Sequence, residues 1–170
     1  VWISGAEKIG GLIGNCGSAG KVTIEKCLAA TVMGDKDDRY VGGLIGYNDR
    51  TVSISDSYSD SYLTGDYTGG LIAYNESGGT ISSCYTAGYQ TARTSAGGFV
   101  GEVRVAADNL VIQNGYTAVT WLAWNFDGTE VATKRYAVAS CTAENTYFLN
   151  DGNQDKDKTE FGTKVGYKQL

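Results

Sequence analysis

The chain has 170 residues, 24 of them glycine, no proline, no histidine and a formal net charge of −5. Ordinary usage would give roughly eight prolines in this length, and their absence excludes collagen and polyproline linkers. The lack of histidine excludes a Ser-His-Asp triad, a Cys-His pair and any His-containing zinc site; the negative charge argues against a nucleic-acid or anionic-membrane surface.

A hydrophobic content of 42% with 12 tyrosines provides enough apolar surface for a folded core. No run approaches 18 apolar residues, so no segment is expected to span a membrane. The chain opens inside a strand-like stretch, Val1-Trp2-Ile3, without an initiator Met or a signal peptide. It therefore reads as a module of a longer chain.

From residue 8 onward the sequence repeats. Gly10-Gly11-Leu12-Ile13-Gly14 recurs as Gly42-Gly43-Leu44-Ile45-Gly46, Gly69-Gly70-Leu71-Ile72-Ala73 and Gly97-Gly98-Phe99-Val100-Gly101. The second glycines stand 32, 27 and 28 residues apart. A second element keeps step: Val22-Thr23-Ile24-Glu25-Lys26-Cys27-Leu28, Val52-Ser53-Ile54-Ser55-Asp56-Ser57-Tyr58, Thr80-Ile81-Ser82-Ser83-Cys84-Tyr85 and Val111-Ile112-Gln113-Asn114-Gly115-Tyr116.

The apolar runs are short, rich in Ile, Val, Thr and Tyr, and separated by Gly, Asn, Asp and Ser, which is strand-and-turn chemistry. One such unit cannot bury a face alone, whereas stacked units share a continuous core. The predicted fold is all-β: a parallel β-solenoid of about four coils with a C-terminal β-hairpin cap. Repeats fall at about 8–39, 40–66, 67–94 and 95–120, the cap at 119–149, and a polar segment at 150–170.

Stacking predicts four ladders. Leu12, Leu44, Leu71 and Phe99 form one, and Ile24, Ile54, Ile81 and Ile112 a second. Leu28, Tyr58, Tyr85 and Tyr116 form a third; Cys27, Ser57, Cys84 and Gly115 a fourth. Which of the last two faces inward depends on a bend at Lys26, Asp56, Ser83 and Asn114. The small ladder is expected inside and the tyrosines on a rim. The Gly pairs are expected to mark corners needing positive φ or close coil contact. Proline is absent because a central coil is hydrogen-bonded along both edges.

These repeats resemble the GLUG motif of bacterial surface and secreted proteins, on Gly-Gly-Leu-Ile-Gly followed by Ile-Ser-x-Cys/Ser-Tyr. The match is closest at 42–62 and 69–89. It is looser at 10–28, where Leu28 replaces Tyr, and at 97–116, where Glu102-Val103 replaces Tyr-Asn. Asn145-Thr146-Tyr147-Phe148-Leu149 is similar to the Tyr-rich stretch that closes such arrays. The resemblance implies a non-catalytic, adhesin-like module displayed outside the cell.

After Tyr116 the repeat is expected to break. Asp127-Gly128 between Val119–Phe126 and Thr129–Ala139 signals an antiparallel hairpin, with Leu122, Trp124 and Phe126 on one face and Trp121 on the other. Asn150–Lys158 reads as a loop, and Glu160–Leu170 as a short strand or a linker.

Candidate ligand-binding residues are Trp121, Trp124, Tyr58, Tyr85 and Tyr116, which could stack on sugar rings. The competing and favoured reading makes them structural, the tryptophans covering the solenoid end and the tyrosines forming a ladder. The carboxylates Asp56, Asp60 and Asp66, and Asp35, Asp37 and Asp38, fall mostly at turns and read as solvated. Asp151–Asp157 has oxygen ligands at alternate positions but lacks the Gly and Glu of an EF-hand. Cys27 and Cys84, two coils apart, are too distant to pair; Cys16 with Cys27 is conceivable.

No catalytic residue, metal or cofactor is expected. The function expected is a rigid spacer or adhesive surface at the cell exterior, with a host or cell-surface protein or a glycan as partner. Carbohydrate binding is the alternative, and polysaccharide cleavage by the Asp56 group comes third.

Overall fold

A computed structural model of the chain describes residues 2–5, 7–17, 19–106, 109–121, 134–136, 141–149 and 163–165. Two strands enter, β1 (Trp2–Ile3) and β2 (Lys8–Gly10). Turn one runs through β3 (Ile13–Cys16), β4 (Lys21–Glu25), β5 (Leu28–Ala29), β6 (Val32–Met33) and β7 (Tyr40–Gly42). Turn two has three strands, β8 (Ile45–Asn48), β9 (Thr51–Ser55) and β10 (Tyr58–Gly69). Turn three repeats them as β11 (Ile72–Asn75), β12 (Gly79–Ser82) and β13 (Tyr85–Gly97). Turn four is β14 (Val100–Val103), β15 (Leu110–Gln113), β16 (Tyr116–Trp121) and β17 (Lys134–Tyr136). The strands β18 (Thr142–Glu144), β19 (Tyr147–Leu149) and β20 (Thr163–Val165) follow.

Equivalent strands pair parallel, turn upon turn, into three sheets of eleven, four and five strands. The chain is thus a parallel β-solenoid of about four turns, as the repeat predicts, with no α-helix among the described residues.

The predicted ladders are present. Ile24, Ile54, Ile81 and Ile112 lie in register across the five-stranded sheet, all buried. Leu44, Leu71 and Phe99 are completely buried, while Leu12, in the first turn, is 46% exposed.

The chain bends where the sequence requires. Lys26, Asp56, Ser83 and Asn114 all have positive φ, between 48° and 53°, and Asn145 joins them at 45°. These are left-handed corners, which cost a residue with a Cβ about 1–2 kcal/mol. Each corner turns the next residue inward and the one after it out to solvent. The small ladder does more there than fill space. Ser57 Oγ donates to Ser55 O (2.7 Å), Cys84 Sγ to Ser82 O (3.2 Å), Cys27 Sγ to Glu25 O (3.3 Å) and Thr146 Oγ1 to Glu144 O (3.0 Å). Cysteine, serine and threonine interchange because each is a small donor that reaches the carbonyl two residues back; at Ser55, Ser82 and Glu144 that carbonyl also accepts the N–H of the preceding turn's corner residue.

The Gly pairs work by close approach alone, because none of them has a positive φ. A Cβ on Gly42, Gly69 or Gly97 would run into the carbonyl of Ile45, Ile72 or Val100 in its own turn. A Cβ on Gly43 or Gly70 would strike the carbonyl of the next turn's glycine and the side chain of Ser59 or Thr86. The corner backbone is thus pressed against the start of the long strand, which splits the interior. The main core lies between the four- and five-stranded sheets and that strand start. Smaller clusters, Ile9–Met33–Val41–Leu63 and Ala92–Ala96–Val119–Trp121, fill the bend of the long strands.

Two features were hidden in the repeat. Asn48 and Asn75 are fully buried and in register. Asn48 Nδ2 donates to Asn75 Oδ1 (2.6 Å) and to Arg50 O (2.6 Å), and Asn75 Nδ2 donates to Ser77 O. Tyr40, Tyr47, Tyr67 and Tyr74 form an outer cluster, with Tyr40 and Tyr74 ring centres 4.7 Å apart. It is capped by Lys8 over Tyr47, Arg39 over Tyr40 and Arg104 over Tyr74.

The C-terminal third needs correction. The repeat does not break at Tyr116. β16 and β17 both pair parallel with β13, β18 with β15, and β19 with β16. The stack therefore continues into a further layer. The hairpin tip, Asp127-Gly128, with Leu122, Trp124 and Phe126, lies outside the described residues. The described ends of its two arms run in the same direction along β13. In the last segment, Thr163–Val165 is a strand on β19.

Candidate ligand-binding face

The left-handed corners set the geometry of one outer face. Beyond each corner the long strand starts, and its alternate residues point outward. The first outward column is Leu28, Tyr58, Tyr85, Tyr116 and Tyr147, in register. Two residues on, Asp60, Ala87 and Ala118 form a low floor. Two further on, Trp2, Val32, Tyr62, Tyr89 and Thr120 form a second column. Four residues of strand separate the columns, about 13 Å.

This face gathers the exposed apolar surface of the molecule. Nine large apolar or aromatic side chains are exposed among the described residues. Seven of them, Trp2, Leu28, Val32, Tyr58, Tyr85, Tyr89 and Tyr147, stand in these two columns. The other two are Ile3 and Leu12, near the chain start. Scattered exposed apolar residues need no explanation, whereas a contiguous patch marks an interaction surface.

The rings are loosely stacked. Tyr85 and Tyr116 lie nearly parallel at 5.4 Å, but Tyr58 and Tyr85 are 6.4 Å apart and tilted by 50°, and Tyr62 and Tyr89 5.7 Å apart and tilted by 35°. Two shallow depressions flank the Tyr58–Tyr85 ridge. One, of about 340 Å³, is lined by Ala30, Val32, Asp60, Tyr62, Gly88 and Tyr89 among others. The other, of about 390 Å³, is lined by Asp56, Ser57, Tyr58, Ser83 and Tyr85. Partial burial, and more weakly the Asp60 carboxylate, pushes the Tyr85 phenol up.

No family model matches the chain, and no curated protein or solved structure matches it either.

Of the residues singled out in the sequence, Tyr58, Tyr85 and Tyr116 are brought together in the first column. Trp121 is not: it is only 2% exposed, in the bend of the long strands, in register with Gln90 and packed with Ala92, Ala96 and Val119. A buried indole is not displayed to a sugar ring, so Trp121 belongs to the interior. Trp124 and the oxygen-rich stretch Asp151–Asp157 lie outside the described residues. Sequence reading missed the second column and its floor. The signal was present in Tyr58-x-x-x-Tyr62 and Tyr85-x-x-x-Tyr89, two aromatics on one face of a strand.

The carboxylates do not converge. Asp56 sits at an exposed corner on one side of the Tyr58–Tyr85 ridge and Asp60 on the other. Asp66 is ion-paired with Arg93. Asp38 was expected in solvent but is buried, accepting the backbone N–H groups of Gly5 (3.1 Å) and Asp35 (2.9 Å). It pins the loop before β7 rather than facing a ligand.

All four cysteines are free. Burial pushes the Cys16 and Cys84 thiols up, and Cys141 up to about 12. A protonated thiol is a poor nucleophile, so these three suit structural roles.

Proposed function

We propose that this chain is a non-enzymatic, extracellular repeat module of a bacterial surface or secreted protein, a rigid spacer that also presents an adhesive face. One observation carries the reading: a continuous parallel stack that concentrates its exposed aromatic side chains in two columns on one side. The GLUG-like repeats support placing such a module at the cell surface. A non-catalytic role fits the protonated buried thiols and the carboxylates that share no cleft.

The spacer role is tested by removing one turn. Gly69 is in register with Gly97, so deleting residues 69–96 joins Thr68 to the equivalent position one turn later. The variant should keep its β-sheet circular dichroism and shorten by about 4.8 Å in solution scattering. Loss of all β structure would show that the turns do not act as separable layers, and the spacer reading would fall. The adhesive role is tested by comparing binding of the chain and of Tyr58→Ser/Tyr89→Ser to whole cells. Equal retention by both proteins would remove this face from the proposal.

A further inference from the structure

The exposed face described above has a particular charge. Among the described residues that line its two depressions, the charged ones are Asp56 and Asp60, one on each side of the Tyr58–Tyr85 ridge. Neither forms an ion pair among the described residues. The nearest cation in the same corner column, Lys26, is held by Glu25 at 3.1 Å. Tyrosine rings add electron-rich faces that attract cations. A polyanion would meet two unpaired carboxylates here, while the flanking Lys26 is already held by Glu25, so uronic-acid and sulfated polymers are disfavoured.

The backbone narrows the class further. An extended peptide is usually captured by pairing with a free strand edge. Here β10 and β13 are hydrogen-bonded to neighbours on both sides, and the face offers only side chains. A ligand must be recognised by rings, hydroxyls and carboxylates. A sugar ring supplies an apolar C–H face for the tyrosines and hydroxyls for their phenols. The two columns run along the stack axis, and each turn advances about 4.8 Å, comparable to the length of one sugar unit.

From this we infer that the two aromatic columns form an axial binding groove for a glycan bearing protonated amines, such as a polymer of glucosamine, with Asp60 facing an amine from the floor and Asp56 flanking the groove beyond the Tyr58–Tyr85 ridge. The inference rests on reading the module as a binding module and names its ligand class.

The test is calorimetric titration of the whole chain with short glucosamine oligomers, their N-acetylated counterparts, uronic-acid oligomers and oligolysine. Glucosamine oligomers should bind, with affinity falling at about 1 M salt, where charge is screened within about 3 Å. N-acetylated oligomers should bind about tenfold more weakly, and uronic-acid oligomers not at all.

Asp60→Asn should abolish most of the difference between amine and N-acetyl ligands, and Tyr89→Ser should weaken both about tenfold. Both side chains are exposed, and unchanged circular dichroism checks the fold. Equal binding of amine and N-acetyl forms would overturn the role of the carboxylates. Binding of oligolysine without any glycan would replace a glycan by a basic peptide and overturn the inference. A folded protein that binds none of these ligands would overturn it too, leaving the spacer role to the turn-deletion result.

Discussion

Phe99 takes the place of Leu44 and Leu71 in its ladder, and the extra ring volume is accommodated by a single neighbour. Gly115 takes the place of Cys27, Ser57 and Cys84, and a Cβ there would stand 2.8 Å from Phe99 Cζ. The two departures from the repeat are therefore one coupled change. Gly115→Ala should destabilise by about 1–3 kcal/mol through overpacking. Phe99→Leu alone leaves a gap and should also cost about 1 kcal/mol or more. Phe99→Leu with Gly115→Cys restores the pair found in the other turns and should recover most of the loss in urea unfolding. Strict additivity of the two single changes would refute the coupling.

Cys141 shows how burial acts on one group. It is fully buried, and its thiol is pushed from the ordinary 9.0 up to about 12. The folded chain keeps a proton that the unfolded chain releases above pH 9. Stability is unaffected below pH 9 and falls as pH rises from 9 towards 12, by about 1.4 kcal/mol per unit from this group. Cys141→Ala should lose less stability between pH 8 and 10.5 than the unaltered chain. Equal losses in urea titrations at the two pH values would contradict this.

At the scale of the element, a strand here is defined by its ends. The five-stranded sheet stops at left-handed residues, and the long strands start immediately after them. Lys26, Asp56, Ser83, Asn114 and Asn145 share no side-chain chemistry that a sequence pattern would align. They share a backbone conformation, with Asn and Asp the non-glycine residues that adopt it most readily. Ser83→Gly should stabilise the chain by up to about 1 kcal/mol, and Ser83→Val should destabilise it by about 1–2 kcal/mol. Thermal unfolding of the three proteins gives the order; a Val variant as stable as the Gly variant would show that the corner conformation is not limiting.

The same corner separates what was legible from what was not. Ile54-Ser55-Asp56-Ser57-Tyr58 shows from alternation alone that Ile54 is inside. The side of Ser57 and Tyr58 could not be fixed from alternation, because the left-handed residue between them resets the phase. The Gly pairs were legible as special positions, but their reason was not. For the second glycine of each pair, close approach to the next turn's carbonyl is a contact between residues 27 to 32 apart, invisible to any local rule.

At the scale of the whole molecule, cooperativity runs along the stack. The strand β12 is bonded to β9 on one side and β15 on the other, whereas β4 is bonded to β9 alone. Amide exchange should be slowest in β12 and fastest in β4, since edge strands open at lower free energy. Equal protection in the two strands would argue that the stack opens only as a unit. Trp121 also belongs at this scale. It follows an alternating run and looks like any exposed strand aromatic, but the long strand bends and encloses a second core around it.

By itself the sequence determined the repeat, its parallel stacking and its two Ile and Leu ladders, because a periodic apolar pattern with matching glycines has one economical way to bury itself. It also accounted for the missing proline, since backbone bonded along both edges has no place for a residue without an N–H. Only the tertiary structure decided that the tyrosines face solvent, that Trp121 does not, that the stack continues beyond Tyr116, and that two aromatic columns flank a floor holding Asp60. Each of these depends on where the chain turns and on which layer lies beside it, and those quantities exist only once the turns are stacked.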